Sequence, residues 1–486
     1  MELEQHIAEF VAWLNDRDAE FARRRRFTYS EARRDRLKAD IAELDAIRDA
    51  FQRLVLQPLS DTGGSRMDQT EQECEYELIS LSGGGYRAAL YNAGALRAFH
   101  VADMLDKSSY HMVNAVSGGA IPTLIWREYL SSSRKGGDAL WPEKALFDLV
   151  LTTPSRGGGF NWHLRWLVYS LMVALLLGYV CLPYLGVCLA ILTALAVFVP
   201  LALRSGLDAR LRWLKHLEQW WQRHPLPPSP LGLSPFFTAE VLDYLSGSSW
   251  IYDKTNLAPA TRENIKTREP SAHIPMSVPT AIATATAFPP IFAGLHIKDN
   301  GVEQHLFKDA GVIDNLAMLP MLRIIERIPR NGKRLGTIAR WFICDAGAPM
   351  GVPNAALLAA EGNTRPVKSV GLVSHIFRLA GDLAQPRFVK AMTDILEDYA
   401  GISATIIGIG VSRPENEGPW IAPLAGEPEP ADVPTAVAGI PKHLALRIYS
   451  EGAQAVSAVL VKDGLMTPDQ RATLRQLIVD EIAGTI

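Results

Sequence analysis

Residues 78–97 read Leu78-Ile79-Ser80-Leu81-Ser82-Gly83-Gly84-Gly85-Tyr86-Arg87-Ala88-Ala89-Leu90-Tyr91-Asn92-Ala93-Gly94-Ala95-Leu96-Arg97. A short apolar strand runs into three glycines and then directly into a helix. Such a turn leaves backbone N–H groups facing open space at a helix N-terminus, a place that stabilises negative charge. It suits a phosphate or a developing oxyanion, and the rest of the chain decides between them. A second strand-to-helix bend follows. His111–Val116 has a strand pattern, Ile121–Trp126 opens a helix, and Ser117 sits between them in Ala115-Val116-Ser117-Gly118-Gly119. Small neighbours are what a nucleophile elbow needs, because the turn is tight and a bulky side chain would block approach to Oγ. The pattern departs from G-x-S-x-G only in its first glycine, here Ala115.

Working outward, the 486 residues carry a net charge of −3 and are 48% hydrophobic, so the chain is globular and no nucleic-acid partner is expected. The cysteines Cys74, Cys181, Cys188 and Cys344 form no metal-spaced set, which fits a reducing compartment. Residues 1–60 read as a charged helical arm. Ile41, Leu44, Ile47, Phe51 and Leu54 form one apolar stripe, open to core packing or to a homo-oligomeric helix contact. The basic run Arg23–Arg26 is either a solvated face or a contact for anionic lipid, and 61–73 reads as a linker.

Trp166–Leu203 is a run of 38 residues without a charged side chain. One bilayer crossing takes roughly 20 apolar residues, and Pro183 breaks the run near its middle. The expectation is a transmembrane or re-entrant hairpin, about 166–182 and 184–203, inserted within 160–224. A buried helical pair is the alternative. His163 and Arg165 precede the run and Arg204, Arg210, Arg212 and Lys215 follow it, which places both ends and the globular mass on the cytoplasmic side. Trp162, Trp166, Trp213, Trp220 and Trp221 flank the run as interface aromatics do, and 205–222 reads as an amphipathic helix on the membrane surface. A proline-rich connector spans 225–230. Strands are then expected at 304–308, 340–345 and 404–411, and helices at 315–328, 368–399 and 442–462. Alternating strands and helices argue for an α/β domain with a mostly parallel sheet, built from 76–155 and 235–486.

A nucleophilic serine needs a base and oxyanion donors. Gly83, Gly84 and Gly85 offer the donors. None of the 11 histidines is singled out as a base. Asp309 stands out instead. In Lys308-Asp309-Ala310-Gly311-Val312-Ile313-Asp314-Asn315 it follows a strand and opens a small-residue turn, at the sheet edge where ligands of α/β folds collect. A second Asp-Ala-Gly, at Asp345–Gly347, also follows a strand and reads as a turn or cap; Asp314 reads as a local side chain-to-backbone hydrogen bond.

This set resembles the patatin-like phospholipases. Ser82-Gly83-Gly84-Gly85-Tyr86-Arg87-Ala88 is particularly similar to the oxyanion loop of the animal cytosolic phospholipases, and Ala283–Phe292 to the small-residue helix and proline turn that precede the family's aspartate. The likeness covers roughly 76–130 and 275–320. It implies a three-layer α/β/α fold and a serine–aspartate dyad without histidine. Ser117 would be the nucleophile, Asp309 the base, Gly83, Gly84 and Gly85 the oxyanion loop, and Arg87 a substrate-side neighbour or a structural contact. The implied activity is hydrolysis of a membrane phospholipid or lysophospholipid through an acyl-serine. No cofactor and no metal are expected. The alternatives are a neutral glyceride lipase or esterase of the same fold, a non-catalytic membrane scaffold, and a dinucleotide-binding enzyme. The last meets the G-x-G-x-x-A spacing but lacks an acidic residue ending the next strand.

Overall fold

The computed structural model describes residues 75–105, 112–133, 139–153, 210–224, 236–253, 256–260, 274–288, 292–299, 302–312, 314–321, 337–347, 403–410, 417–433 and 440–485. The arm 1–60, the apolar run 166–203 and the helix expected at 368–399 lie outside these residues. Among the described residues no helix is long and apolar enough to cross a membrane.

In chain order, β1 (Glu75–Leu81) leads to α1 (Gly85–Val101), and β2 (Met112–Val116) leads through a 3-10 turn (Ser117–Gly119) to α2 (Ala120–Ser133). Then come α3 (Trp141–Thr152) and α4, over 210–223. The strands β3 (Phe236–Asp243), β4 (Ser248–Asp253), β5 (Asn256–Pro259) and β6 (Ile274–Pro275) precede α5 (Val278–Ala285). The remainder is β7 (Leu295–Asp299), β8 (Val302–Asp309), β9 (Thr337–Asp345), β10 (Ser403–Gly408), α6 (Lys442–Lys462) and α7 (Pro468–Gln476).

All ten strands among the described residues join one sheet, ordered β10-β9-β1-β2-β3-β4-β5-β6, with β8 paired to β3 and β7 to β8. The ladders from β10 to β3 are parallel, as the alternation of strands and helices demands. The expected mostly parallel sheet is corrected on the other side, where β3–β4, β4–β5, β5–β6, β3–β8 and β7–β8 are all antiparallel. The cause is local. Only residues 244–247 join β3 to β4, too few for a crossover, and Gly247 turns the chain back at φ 74°. Asp243 holds that turn by accepting the Leu245 N–H (3.1 Å) and the Ser246 hydroxyl (2.7 Å).

Alternate strand residues face opposite sides of the sheet. Ile79, Leu81, Val113, Ala115, Phe237, Ala239 and Val241 face one core shared with all the helices. On the opposite face the Ala317 carbonyl lies over Ser80 and Asn114. The helix expected from 315 is corrected at its start: 315–317 form a turn and helix begins at Leu319, whose N–H the Asp314 carboxylate accepts at 2.6 Å.

α1 and α6 cross backbone to backbone. A Cβ on Gly94 would overlap the Tyr449 carbonyl, and one on Gly452 would overlap the Tyr91 carbonyl. Beside this crossing, buried Arg97 donates from Nε to Glu143 at 2.8 Å and Tyr449 donates its hydroxyl to the same carboxylate at 2.7 Å.

α4 overturns the reading of Trp213 and Trp220 as membrane-interface anchors, while Trp162 and Trp166 lie outside the described residues. Trp213, Leu217 and Trp220 are buried in the core, with Trp213 Nε1 donating to Thr286 Oγ1 (3.0 Å) and Trp220 Nε1 to the Ala145 carbonyl (2.7 Å). The helix is amphipathic, as its sequence indicates, but its apolar face is satisfied by protein. Leu211, Arg212 and Lys215 remain exposed.

Candidate active site

The topology brings Ser117 and Asp309 together along one edge of β3. β2 runs parallel to β3 and ends with Val116 opposite Glu240. β8 runs antiparallel and ends with Asp309 opposite Val241, the next residue. β4 occupies the other edge over Ala239–Asp243, so β2 and β8 meet head to head with their C-terminal ends abutting. Ser117 Oγ donates to Asp309 Oδ2 at 2.6 Å across 192 residues of sequence.

Ser117 has φ 51°, which a residue bearing a Cβ adopts at a cost of about 1–2 kcal/mol. That conformation is enforced by what surrounds it. A Cβ on Gly118 would overlap the Gly85 carbonyl, and one on Gly119 would lie 2.6 Å from the Ser82 carbonyl oxygen. The elbow therefore rests directly on the glycine loop, and only glycine fits after the serine.

Asp309 is wholly buried. Its own N–H donates to the Ala287 carbonyl at 3.3 Å, and the Gly311 N–H donates to Oδ1 at 2.8 Å. Burial raises its carboxyl to about 7; the hydrogen bonds from Ser117 and Gly311 partly oppose the rise. A carboxyl in that range is divided between acid and base forms at neutral pH, which suits proton transfer in both directions.

The three glycines are not equivalent. The Gly83 N–H is already given to the Asn315 carbonyl at 2.8 Å, so it is not a free oxyanion donor. Gly84 (φ 136°) caps α1 and Gly85 (φ 62°) is its first residue, where N–H groups have no acceptor inside the helix. Ser82 anchors the loop, accepting the Ala346 N–H on Oγ at 2.7 Å and the Asn92 side-chain amide on its carbonyl at 2.9 Å.

Arg87 is buried and donates from Nη1 to the carbonyls of Ala431 (3.0 Å) and Val433 (2.8 Å), which ties the 430–433 turn to the first turn of α1. Asp345 ends β9, on the far edge of β1 from β2, and its carboxylate accepts the Gly347 N–H at 2.7 Å. Two residues that the motif reading did not assign complete the site. Asn315 Oδ1 lies where a Cβ on Gly83 would meet it at 2.5 Å, and Gly118 stacks on Gly85. The glycine directly after Ser117 and the Asp-Ala-Gly-x-x-x-Asn spacing were their signals in the sequence.

No protein-family model matches the chain, and no curated protein matches it. Among solved structures, human GIVD cytosolic phospholipase A2 in complex with methyl gamma-linolenyl fluorophosphonate aligns over 89% of this chain and 62% of its own, at 12% identity and a TM-score of 0.40. The same enzyme with that inhibitor and terbium chloride aligns over 88% and 62%, at 11% identity and 0.38. VipD from Legionella pneumophila aligns over 83% and 72%, at 11% identity and 0.28. The chain thus spans less than two thirds of the length of the phospholipase chains it matches.

Proposed function

We propose that this protein is a serine acyl hydrolase acting on membrane lipid esters, with Ser117 as nucleophile and Asp309 as its base. The observation that carries this reading is the 2.6 Å hydrogen bond from a serine at φ 51° to a buried carboxyl, beneath a glycine loop at a helix N-terminus. Ser117 Oγ attacks the ester carbonyl carbon while its proton passes to Asp309 Oδ2. The negative charge that forms on the carbonyl oxygen is met by the N–H groups of Gly84, Gly85 and Gly118 and by the positive end of α1. Collapse of the tetrahedral intermediate expels the alcohol, which takes the proton back from Asp309. Asp309 then deprotonates a water that attacks the acyl-serine, releasing the fatty acid and restoring Ser117.

The lipid substrate is supported by the uncharged run at 166–203, which would hold the catalytic domain at a bilayer. Phospholipid or lysophospholipid is therefore favoured over neutral glyceride. The reading is tested by a fluorophosphonate probe on the purified protein, with product analysis on phospholipid vesicles. Labelling and fatty-acid release that vanish in Ser117→Ala support it. A protein that neither labels nor hydrolyses is a scaffold, and the reading fails.

A further inference from the structure

A second acidic pair lies under the first, and the chemistry above does not use it. Glu240 on β3 is fully buried, and Asp314 nearly so. Glu240 Oε1 accepts the Ser249 hydroxyl at 2.6 Å, and Oε2 faces the Asn114 side-chain amide at 3.4 Å. Its carboxyl also meets that of Asp314 in a side-chain hydrogen bond. Asp314 in turn accepts the Leu319 N–H at 2.6 Å. Ionised carboxylates only accept, so a hydrogen bond between two carboxyl groups contains a proton.

We propose that Glu240 and Asp314 hold one proton between them, and that this shared proton latches the 310–319 segment beneath the catalytic pair, making both side chains positioning residues for the reaction proposed above. The role rests on that reading of the site; the shared proton does not.

The geometry shows what the latch holds. The segment begins beside Asp309, and its Gly311 N–H orients the Asp309 carboxyl. Its Asn315 carbonyl takes the Gly83 N–H and so fixes the glycine loop. Its Ala317, at φ 56°, accepts both Ser80 Oγ (3.1 Å) and the Asn114 side-chain amide (2.9 Å) on one carbonyl. Three parts of the site therefore hang on one turn, and Asp314 is the side chain that closes it. With the proton gone, two negative charges would face each other in the interior. Among the described residues, the surrounding strands offer little to offset them. β1, β2 and β4 present Ser80, Asn114 and Ser249, all neutral. The end of β8 presents Asp309 and Lys308, and the Lys308 ammonium lies over the Tyr244 ring, 4.9 Å from its centre. Burial favours the protonated form of Asp314, so the latch opens on the alkaline side. Asp309 must lose its proton to act and the lower pair must keep one, so the rate passes through a maximum with pH.

The test uses the full-length chain, a water-soluble p-nitrophenyl ester, and kcat/KM from pH 5 to 10 for the wild type, Glu240→Gln and Asp314→Asn. Each amide can donate to the remaining carboxylate, so the contact survives without a titrating proton. The expected result is an acid limb shared by all three proteins. Both variants should keep kcat/KM at pH 7 within about threefold, and their alkaline limb should move up by at least one pH unit. Alkaline limbs that coincide with the wild type overturn the positioning role. A second arm needs no activity. The pair binds more proton folded than unfolded, so wild-type stability falls as pH rises through its titration, and Glu240→Gln should flatten that fall in thermal melts between pH 7 and 10. Equal slopes overturn the shared proton. Absence of hydrolysis and of fluorophosphonate labelling sinks the hydrolase reading instead, while the melts still judge the pair.

Discussion

Ser117 pays for its left-handed backbone with strain, and its neighbours show why it stays there: Gly118 and Gly119 press against backbone on both sides. At this scale the sequence was highly legible. Small residues around a serine, glycines after a strand and a carboxylate after another strand are all local signatures. What it could not show was which glycine amide is already spent, because the Gly83 N–H partner, Asn315, lies more than 200 residues away. Two predictions belong here. Asp309→Asn should lower kcat/KM by at least 100-fold with the fold intact by circular dichroism, whereas Asp345→Asn, whose carboxylate serves a turn, should retain most activity. The acid limb of the wild-type kcat/KM profile should have its midpoint near pH 7, because the proposed base Asp309 would act as the carboxylate and burial favours its acid form. The same shift means that ionising Asp309 costs the folded state stability as pH rises from about 4 to about 7, so Asp309→Asn should melt higher than wild type at pH 8.

At the scale of elements, the crossing of α1 and α6 fixes the helix whose N-terminus faces the proposed oxyanion. Both helices are legible from their apolar spacing, and 442–462 matches α6 at both ends. Their contact is not, because nothing in a single sequence pairs Gly94 with Tyr449 or Gly452 with Tyr91. Since each added methyl would meet a backbone carbonyl and not a side-chain tip, Gly94→Ala and Gly452→Ala should each destabilise by about 1–3 kcal/mol, read as a lower denaturant midpoint. α4 teaches the complementary lesson. Its tryptophan stripe has the same spacing whether it meets lipid or protein, and the Thr286 hydroxyl and Ala145 carbonyl at its indole N–H groups settle the matter for Trp213 and Trp220. Trp220→Ala should accordingly cost about 3–5 kcal/mol of stability, read in the same titration.

At the scale of the molecule, the catalytic proposal and the membrane proposal separate cleanly. The apolar run at 166–203 precedes α4 in the chain, and α4 is locked into the core next to the turn that takes the Asp309 N–H. Aspartates replacing Leu175 and Leu176 would each cost about 2.5–3.5 kcal/mol at a bilayer centre. Such a variant should lose co-sedimentation with phospholipid vesicles and hydrolysis of them, yet cleave a water-soluble ester at the wild-type rate.

The chain by itself determined the pieces: a glycine turn opening a helix, a serine in a tight bend, a carboxylate at a strand end, and the parallel strands from β10 to β3. These follow from φ/ψ preference and side-chain period, which act over a few residues. Only the tertiary structure decided that β2 and β8 abut on one edge of β3, that half the sheet turns antiparallel, and that Glu240 faces Asp314. Those outcomes depend on strand register across hundreds of residues and on which buried polar groups find partners, and both are fixed by the collective packing of the sheet.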